Sequence, residues 1–525
     1  MKFLWQSLHQ EWLLLMRSRA AMAALGLLLA LSTLAVVSGL REVQRQRDTI
    51  ERVITLQQDY PAPKSRSRDA GTAAYYTFHP TWDPPSAASF LALGLRDTNP
   101  YVLRVRALAL QAQLHEGETH NPELALLGRV DFAFVLVYLA PLFLIALLYD
   151  LVSSERAAGR LGTLSAMPGG NHLLWLRRAA LRAGLVFMAL ALPATVGAWS
   201  SGTPAGLFLQ VLAATLAYLL FWVGLALGVA SRSWTSATNA IALMGCWAVL
   251  TLVFPSLAHL AISRASPAHQ GAELMLAQRE AVHAAWDKPR EETLERFFQS
   301  HPEWRDTAPL PAGFHWKWYY AFQQLGDESV ADRAADYREA LLARQRWTTA
   351  VGWLLPSVAA QTVLHRAAQT DLLRQLAYQD AIAAFHARLR RFYYPYLFND
   401  RPFHPHDMAA QPRFEPASHH DGGQLSTAWG LFLVAASALA IGSLSIRRVD
   451  RVHSGRALKS LKTASPEQAL SATFPPSGQR LSIGGVHTGG RNADAGKKVE
   501  GASDLRRQPL VCWLLDLGSN QGPTD

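Results

Sequence analysis

"FAFVLVYLAPLFLIALLYDLVSSERAAGRLGTL", residues Phe132 to Leu164, is the stretch from which the fold is read. Its first half carries no charge and has the length of a membrane span. From Tyr149 it becomes an acid–base pair, two glycines and a short amphipathic segment. A helix needs about 20 mainly apolar residues to cross a hydrocarbon core. Searching outward for the same signature gives five more runs: Ala20–Leu40, Ala183–Trp199, Ala205–Ala230, Ala237–Ala261 and Leu425–Ile446. The first of these is longer than the apolar region of a signal peptide, so it reads as a retained span.

Composition agrees with six spans. Half of the 525 residues are hydrophobic and 17% are charged, against about 25% in soluble proteins. Sixteen tryptophans and fourteen tyrosines suit a chain with two membrane interfaces. Cys246 lies in an apolar run and Cys512 in the tail, which leaves no disulfide for the segments between spans and no cysteine-based zinc site.

The net charge of +10 would suit nucleic acid if the basic residues were clustered for it. They fall instead beside span ends. Lys2, Arg17 and Arg19 precede the first span, and Arg156, Arg160, Arg177, Arg178 and Arg182 separate the second from the third. Arg232 separates the fourth from the fifth, and Arg447, Arg448 and Arg451 follow the sixth. The connection "SSGTPAG" between spans three and four has no charge. With six spans every basic connection lies on one side, so both termini are expected in the cytoplasm. The charge is a topology signal, and a nucleic-acid partner is not expected.

The expected fold class is an all-α polytopic membrane protein, with six transmembrane helices and a mostly helical extracytoplasmic domain. Residues 1–40 hold the cytoplasmic N-terminus and span one, and 132–261 hold spans two to five with the cytoplasmic connection 150–182. Span six is 425–446. Segments 41–131 and 262–424 face outward. "ESVADRAADYREALLARQRW" and "LLRQLAYQDAIAAFHARLRRFYYPYLF" repeat apolar residues at helical spacing. "HPTWDPPSAASF" and "NDRPFHPHDMAAQPRFEP" read as irregular connections. Residues 447–525 form a cytoplasmic tail that becomes polar and rich in Gly, Ser and Pro after Arg451, the composition of a disordered segment. It ends in "PLVCWLLDLGSNQGPTD", either a docking peptide or the product of a frameshift or read-through.

The cytoplasmic connection predicts a helix over "SSERAAGRLGTLSAM", stopped by Pro168, Gly169 and Gly170, with Leu161, Leu164 and Met167 on its apolar edge. It reads equally as a surface element offered to a soluble partner and as a basic loop that sets topology. Ser153, Ser154, Glu155 and Arg156, followed by Gly159 or Gly162 and by Thr163-Leu164, resemble the S-x-E-R-E-x-G-T-L motif of type 2 ATP-binding-cassette (ABC) transporter permeases, with an apparent insertion. "FLALGLRDTNPYVLRV", "NPELALLGRVDFAFVLVYLAPLFLIALLYDLVSSER" and "LARQRWTTAVGWLLPSVAAQTVL" resemble one branch of these permeases, in which an uncharacterised domain fills the outer segments. The likeness runs from about Met1 to Arg448.

The resemblance implies that this connection docks on a separate ATPase subunit, which holds the ATP and magnesium. It makes Glu155, Arg156, Gly159, Thr163 and Leu164 the coupling candidates. It also implies a bacterial inner membrane, export, and a second permease half that is a copy of this chain or a relative. The chain itself has no phosphate-binding loop. "GVHTGGRN", Gly485 to Asn492, lacks the Lys and Ser/Thr such a loop needs. No cofactor, catalytic residue or metal is assigned; His404, His406, Asp407, His419, His420 and Asp421 read as a proline-rich connector rather than a metal site. H-E-x-x-H and G-x-S-x-G do not occur.

Within the spans, Gly224 and Gly228 offer a close-packing face or a dimer contact. Gln210 and Asn239 are the interior polar candidates for a path or a helix-to-helix bond, and Pro141, Pro193 and Pro255 are expected kinks. Asp131, at the outer edge of span two, is an intramembrane functional candidate or an interfacial cap. A membrane-anchored scaffold or sensor with an outer partner is the alternative to transport.

Overall fold

Apolar runs this long can satisfy their backbone in lipid only by forming helices. The computed structural model describes residues 2–59, 69–114, 130–166, 172–267, 271–417 and 425–463. Among the described residues are six helices long and apolar enough to cross a membrane: Arg19–Gln57, Phe132–Ala157, His172–Ser201, Ala205–Ala230, Ser236–Ala265 and Ala428–Arg448. Met1–Leu461 form one unit; the second, Lys462–Asp525, lies outside the described residues except for Lys462 and Thr463.

Spans two and four form the centre, with 61% and 67% of their apolar windows buried. Span five is only 11% buried and leaves Ile241 74% exposed, with Phe254 and Leu257 also exposed. A helix apolar all round and mostly uncovered needs lipid or another apolar surface around it. Exposed tryptophans mark both ends: Trp12 and Trp234 at the basic end, Trp199 and Trp429 at the other. Lys2–Arg17 adds a separate helix before span one, with Leu13, Leu14 and Met16 exposed.

Small residues set the closest crossings. A Cβ on Gly224 of span four would lie 2.3 Å from the Ala438 backbone, and one on Gly442 would lie 2.2 Å from the Gly224 carbonyl oxygen. Gly224 thus packs on span six of its own chain, whereas a Cβ on Gly228 would meet nothing within 4 Å. Gly228 takes no part in that crossing.

Two of the prolines expected to kink their helices follow a π-turn. Val135–Leu139 in span two precedes Pro141, and Val249–Val253 in span five precedes Pro255. A helical proline leaves a carbonyl without its N–H, and a π-turn shifts the pairing further. Neighbours take up the freed carbonyls. Tyr218 Oη donates to Val137 O at 2.8 Å, Trp247 Nε1 to Tyr138 O at 3.2 Å, and Ser357 Oγ to Leu250 O at 3.0 Å. Pro193 sits inside the His172–Ser201 helix without such a turn.

The domain beyond the spans is mostly helical and built from both long segments. Gly271–Trp286, Arg290–Ser300, Trp316–Glu328, Ala331–Gly352, Pro356–Ala368 and Leu372–Phe398 are its main helices. The domain also contains a small antiparallel ribbon that the sequence analysis does not anticipate, β1 (His79–Trp82) and β2 (Val102–Val105), in which Thr81 faces Leu103. Its core is aromatic, with Phe297, Tyr320, Tyr378, Phe385, Tyr393 and Phe398 buried. Asp83, after β1, is buried between Arg96 and Arg374, and Arg96 Nε also donates to Gln46 on the extension of span one at 3.1 Å. That extension runs past Leu40 because Val43, Gln46 and Ile50 continue a buried stripe.

Two apolar contacts are among those that fasten the domain to the spans. Phe90 wedges between spans one and three, where Gly39 and Gly197 leave room for it. The Pro356–Ala368 helix lies in the same apolar core as the spans, through Ala359, Ala360, Leu364, Ala367 and Ala368. The last helix, Leu425–Thr463, continues beyond Arg451, where the composition had suggested disorder; "SGRALKSLKT" is rich in residues that favour helix.

Candidate functional site

At the basic end, the connection after span two folds as two short helices, Ser153–Ala157 and Leu161–Ala166, rather than as one. Gly159 makes the break. Its φ of +72° is a left-handed conformation that glycine adopts freely. The Arg160 N–H donates to Glu155 O and the Gly159 N–H to Arg156 O, both at 3.0 Å, closing the first helix in a Schellman motif. Gly162 lies within the second helix, so of the two motif glycines Gly159 carries the conformational requirement. Met167 and the stop residues Pro168, Gly169 and Gly170 lie outside the described residues.

Glu155 and Arg156 face inward. Glu155 bonds Arg160 at 2.7 Å and Arg178, at the base of span three, at 2.9 Å; Arg178 also bonds Glu11 of the first helix at 2.8 Å. Arg156 Nη1 donates to the Arg232 carbonyl at 3.2 Å, and the Ser153 and Ser236 hydroxyls are 2.8 Å apart. The acid–base pair of the motif therefore ties the elbow to span three and to the 232–234 connection, and through Arg178 to the first helix. Exposed on its outer surface are Ala157, Ala158, Gly159, Arg160, Gly162 and Thr163; Leu161 is buried and Leu164 half-buried against the bundle. Glu11 and Arg178 were not singled out in the sequence, where charges near span ends looked like topology signals alone.

The span candidates separate. Asn239 is fully buried and its Nδ2 donates to Tyr149 O at 3.2 Å, joining span five to the end of span two. Gln210 is exposed on span four and does not line an interior path within this chain. On an evenly apolar helix, the sequence holds little sign of which face turns inward. Asp131 is buried at the opposite end of span two from the elbow. It caps the helix by accepting from Phe134 N at 2.8 Å, and it accepts from Leu93 N of the outer domain at 2.9 Å. Burial raises its pKa, Asp97 adds to the rise, and the backbone donors oppose it.

In the 404–407 turn, the Asp407 carboxylate accepts from His404 N at 2.8 Å and serves as a cap. Among the described residues no group of three or more His, Cys, Asp or Glu side chains is arranged to hold a metal ion. His419, His420, Asp421 and the Gly485–Asn492 stretch lie outside them.

The family described as "Domain of unknown function (DUF3526)" matches residues 272–417, which span the outer domain's main helices and include the Pro356–Ala368 helix. No curated protein and no solved structure matches the chain.

Proposed function

We propose that this chain is the permease subunit of an ABC transporter, working in export across a bacterial inner membrane with both termini in the cytoplasm. A separate ATPase subunit binds the elbow and hydrolyses ATP with magnesium; the chain itself is not an enzyme. A second copy or a related permease completes the path, with lipid around the rest.

The observation that supports this reading best is the construction of the elbow. It stands at the end of a central span, is braced internally by Glu155, Arg156 and Arg178, and exposes Ala157, Ala158, Gly159, Gly162 and Thr163 around the Arg160 side chain. A force applied to that surface reaches span two and span three without passing through a loose loop. In this arrangement Gly159 and Thr163 belong to the docking surface, while Glu155 and Arg156 act as its braces.

Purification from native membranes in mild detergent tests it. An ATPase subunit should accompany the chain in near-equal amount, Thr163→Trp should abolish the association by obstructing the surface, and Glu155→Ala with Arg156→Ala should weaken it. A chain that purifies without a nucleotide-binding subunit but with an outer partner is a membrane-anchored scaffold instead, and the transport reading fails.

A further inference from the structure

The run "WTTAVGWLLPSVAAQTVL", residues 347–364, carries no charge and lies in the outer domain between Arg346 and His365. A straight helix of that length would be a candidate span. Here the run folds back on itself, with a turn at 353–355 between the Ala331–Gly352 and Pro356–Ala368 helices. Its two uncharged arms, 347–354 and 357–364, are each about 12 Å long. Arg346 and Arg366 stand at the open end, away from the turn.

Two contacts fix the depth of the turn. Ser357 Oγ donates to Leu250 O of span five at 3.0 Å, and a Cβ on Gly430 of span six would lie 3.0 Å from the Trp353 ring. Leu250 is about 21 Å along its helix from Ser236, at the basic end of span five. Gly430 is about 26 Å from Arg447, at the basic end of span six. A hydrocarbon core is about 30 Å thick, so the turn lies about 4–9 Å inside its outer boundary. The backbone suits that medium, where an N–H without a partner is costly. The N–H groups of Trp353, Leu354 and Leu355 donate to the Ala350 and Val351 carbonyls, and Pro356 has none.

We propose that this turn is a re-entrant hairpin whose tip lies among the acyl chains of the outer leaflet. Leu354 is 78% exposed at the tip, with Trp353 beside it, and Trp347 is exposed next to Arg346 nearer the open end. An aromatic ring beside a basic residue is the pattern of a membrane interface. Trp353 packs on Gly430, next to the exposed Trp429, so the surface of the tip continues that of span six. An apolar surface at that depth and on that side meets lipid. The domain matched at 272–417 is therefore anchored in the membrane through its own sequence as well as through the spans. This inference rests on the six spans and needs neither an ATPase nor transport.

Spin labelling of the full chain in phospholipid nanodiscs tests the proposal. With Cys246→Ala and Cys512→Ser as background, one nitroxide is introduced through Leu354→Cys, Trp347→Cys or Ala335→Cys. Ala335 is exposed on the Ala331–Gly352 helix, far from the turn, and serves as the aqueous reference. Collision with oxygen, which concentrates in hydrocarbon, is compared with collision with a water-soluble nickel chelate. The oxygen-to-nickel ratio at Leu354→Cys should exceed that at Ala335→Cys severalfold, with Trp347→Cys between them. Leu354 and Trp347 are exposed, so neither label displaces a buried side chain. A ratio at Leu354→Cys no higher than at Ala335→Cys puts the turn in water and overturns the proposal. Protection of Leu354→Cys from both reagents puts protein over the tip and also overturns it.

Discussion

The span bundle and the outer domain share one chain and use different means of cohesion. The bundle core is mostly aliphatic and alanine-rich, with glycine contacts at its tightest crossing and side chains that take up stray carbonyls. The outer core is aromatic and encloses charges: Asp83 between two arginines, Asp327 bonded to Arg390 at 2.6 Å, and His386 bonded to the Leu108 carbonyl at 2.7 Å. The difference follows from the surroundings. Burying apolar surface gains nothing when the alternative is lipid, so fit and hydrogen bonding set the geometry of the bundle. In water, burial of large rings drives folding and tolerates a few fully paired charges.

If that contrast holds, the largest single loss comes from unpairing a buried charge in the domain. Asp83→Ala leaves Arg96 and Arg374 buried against each other, which should cost about 3–5 kcal/mol. The variant should lose protease resistance across residues 69–114 and 271–417 while its spans still insert. Wild-type resistance throughout the domain would show that the cluster does not hold it together.

The bundle should respond most to added volume. Gly442→Ala places a methyl group 2.2 Å from the Gly224 carbonyl oxygen and should destabilise the crossing of spans four and six by about 1–3 kcal/mol. Gly228→Ala, with nothing within 4 Å, should be neutral. Thermal unfolding in detergent compares them, and equal midpoints would remove the steric argument.

Acid should separate the regions again. His79, on β1, is buried and its pKa is lowered to about 4, while burial holds His386 well below its ordinary value. Both are neutral when folded, so below about pH 6.5 the unfolded chain takes up their protons first. Stability is therefore complete above that pH and falls as pH drops toward the folded values, by up to about 1.4 kcal/mol per pH unit for each histidine. His386→Gln keeps a donor for Leu108 O and should flatten the slope measured by domain unfolding between pH 6.5 and 4.5. An unchanged slope would assign it to other groups.

The same contrast explains which features were readable in advance. The spans were legible because lipid forces long uncharged runs, and the Leu372–Phe398 helix because its apolar spacing is regular. The ends were harder: span one continues beyond Leu40 on a mixed polar stripe, and span three begins at His172, so that Arg177, Arg178 and Arg182 stand on its helix instead of in a loop. The ribbon strands have four residues each and one contains a proline, too short to show alternation. In the elbow, the sequence placed Glu155, Arg156 and Gly159 together but left Glu11, as Arg178's partner, undiscoverable, because pairing across 167 positions has no local signature. The Pro356–Ala368 helix did carry a signal, small residues at Ala359, Ala360, Ala367 and Ala368, but it lacks the length of a span.

The smallest expected effect is the finest test of the comparison. Tyr218 is fully buried in span four and its hydroxyl bonds the Val137 carbonyl, the acceptor that Pro141 leaves without a regular helical partner. Tyr218→Phe keeps the ring and its edge contact with Trp222 and removes only that donor. Hydrogen bonds between membrane helices average about 0.6 kcal/mol, because the separated helices find other partners. The variant should therefore lower the thermal midpoint slightly, and less than Gly442→Ala. A loss as large as that of Asp83→Ala would mean that the π-turn depends on this one bond, so that the bundle rests on buried polar pairing as the domain does. A small loss would leave fit as the main determinant in the spans and paired charge as the vulnerable point of the domain.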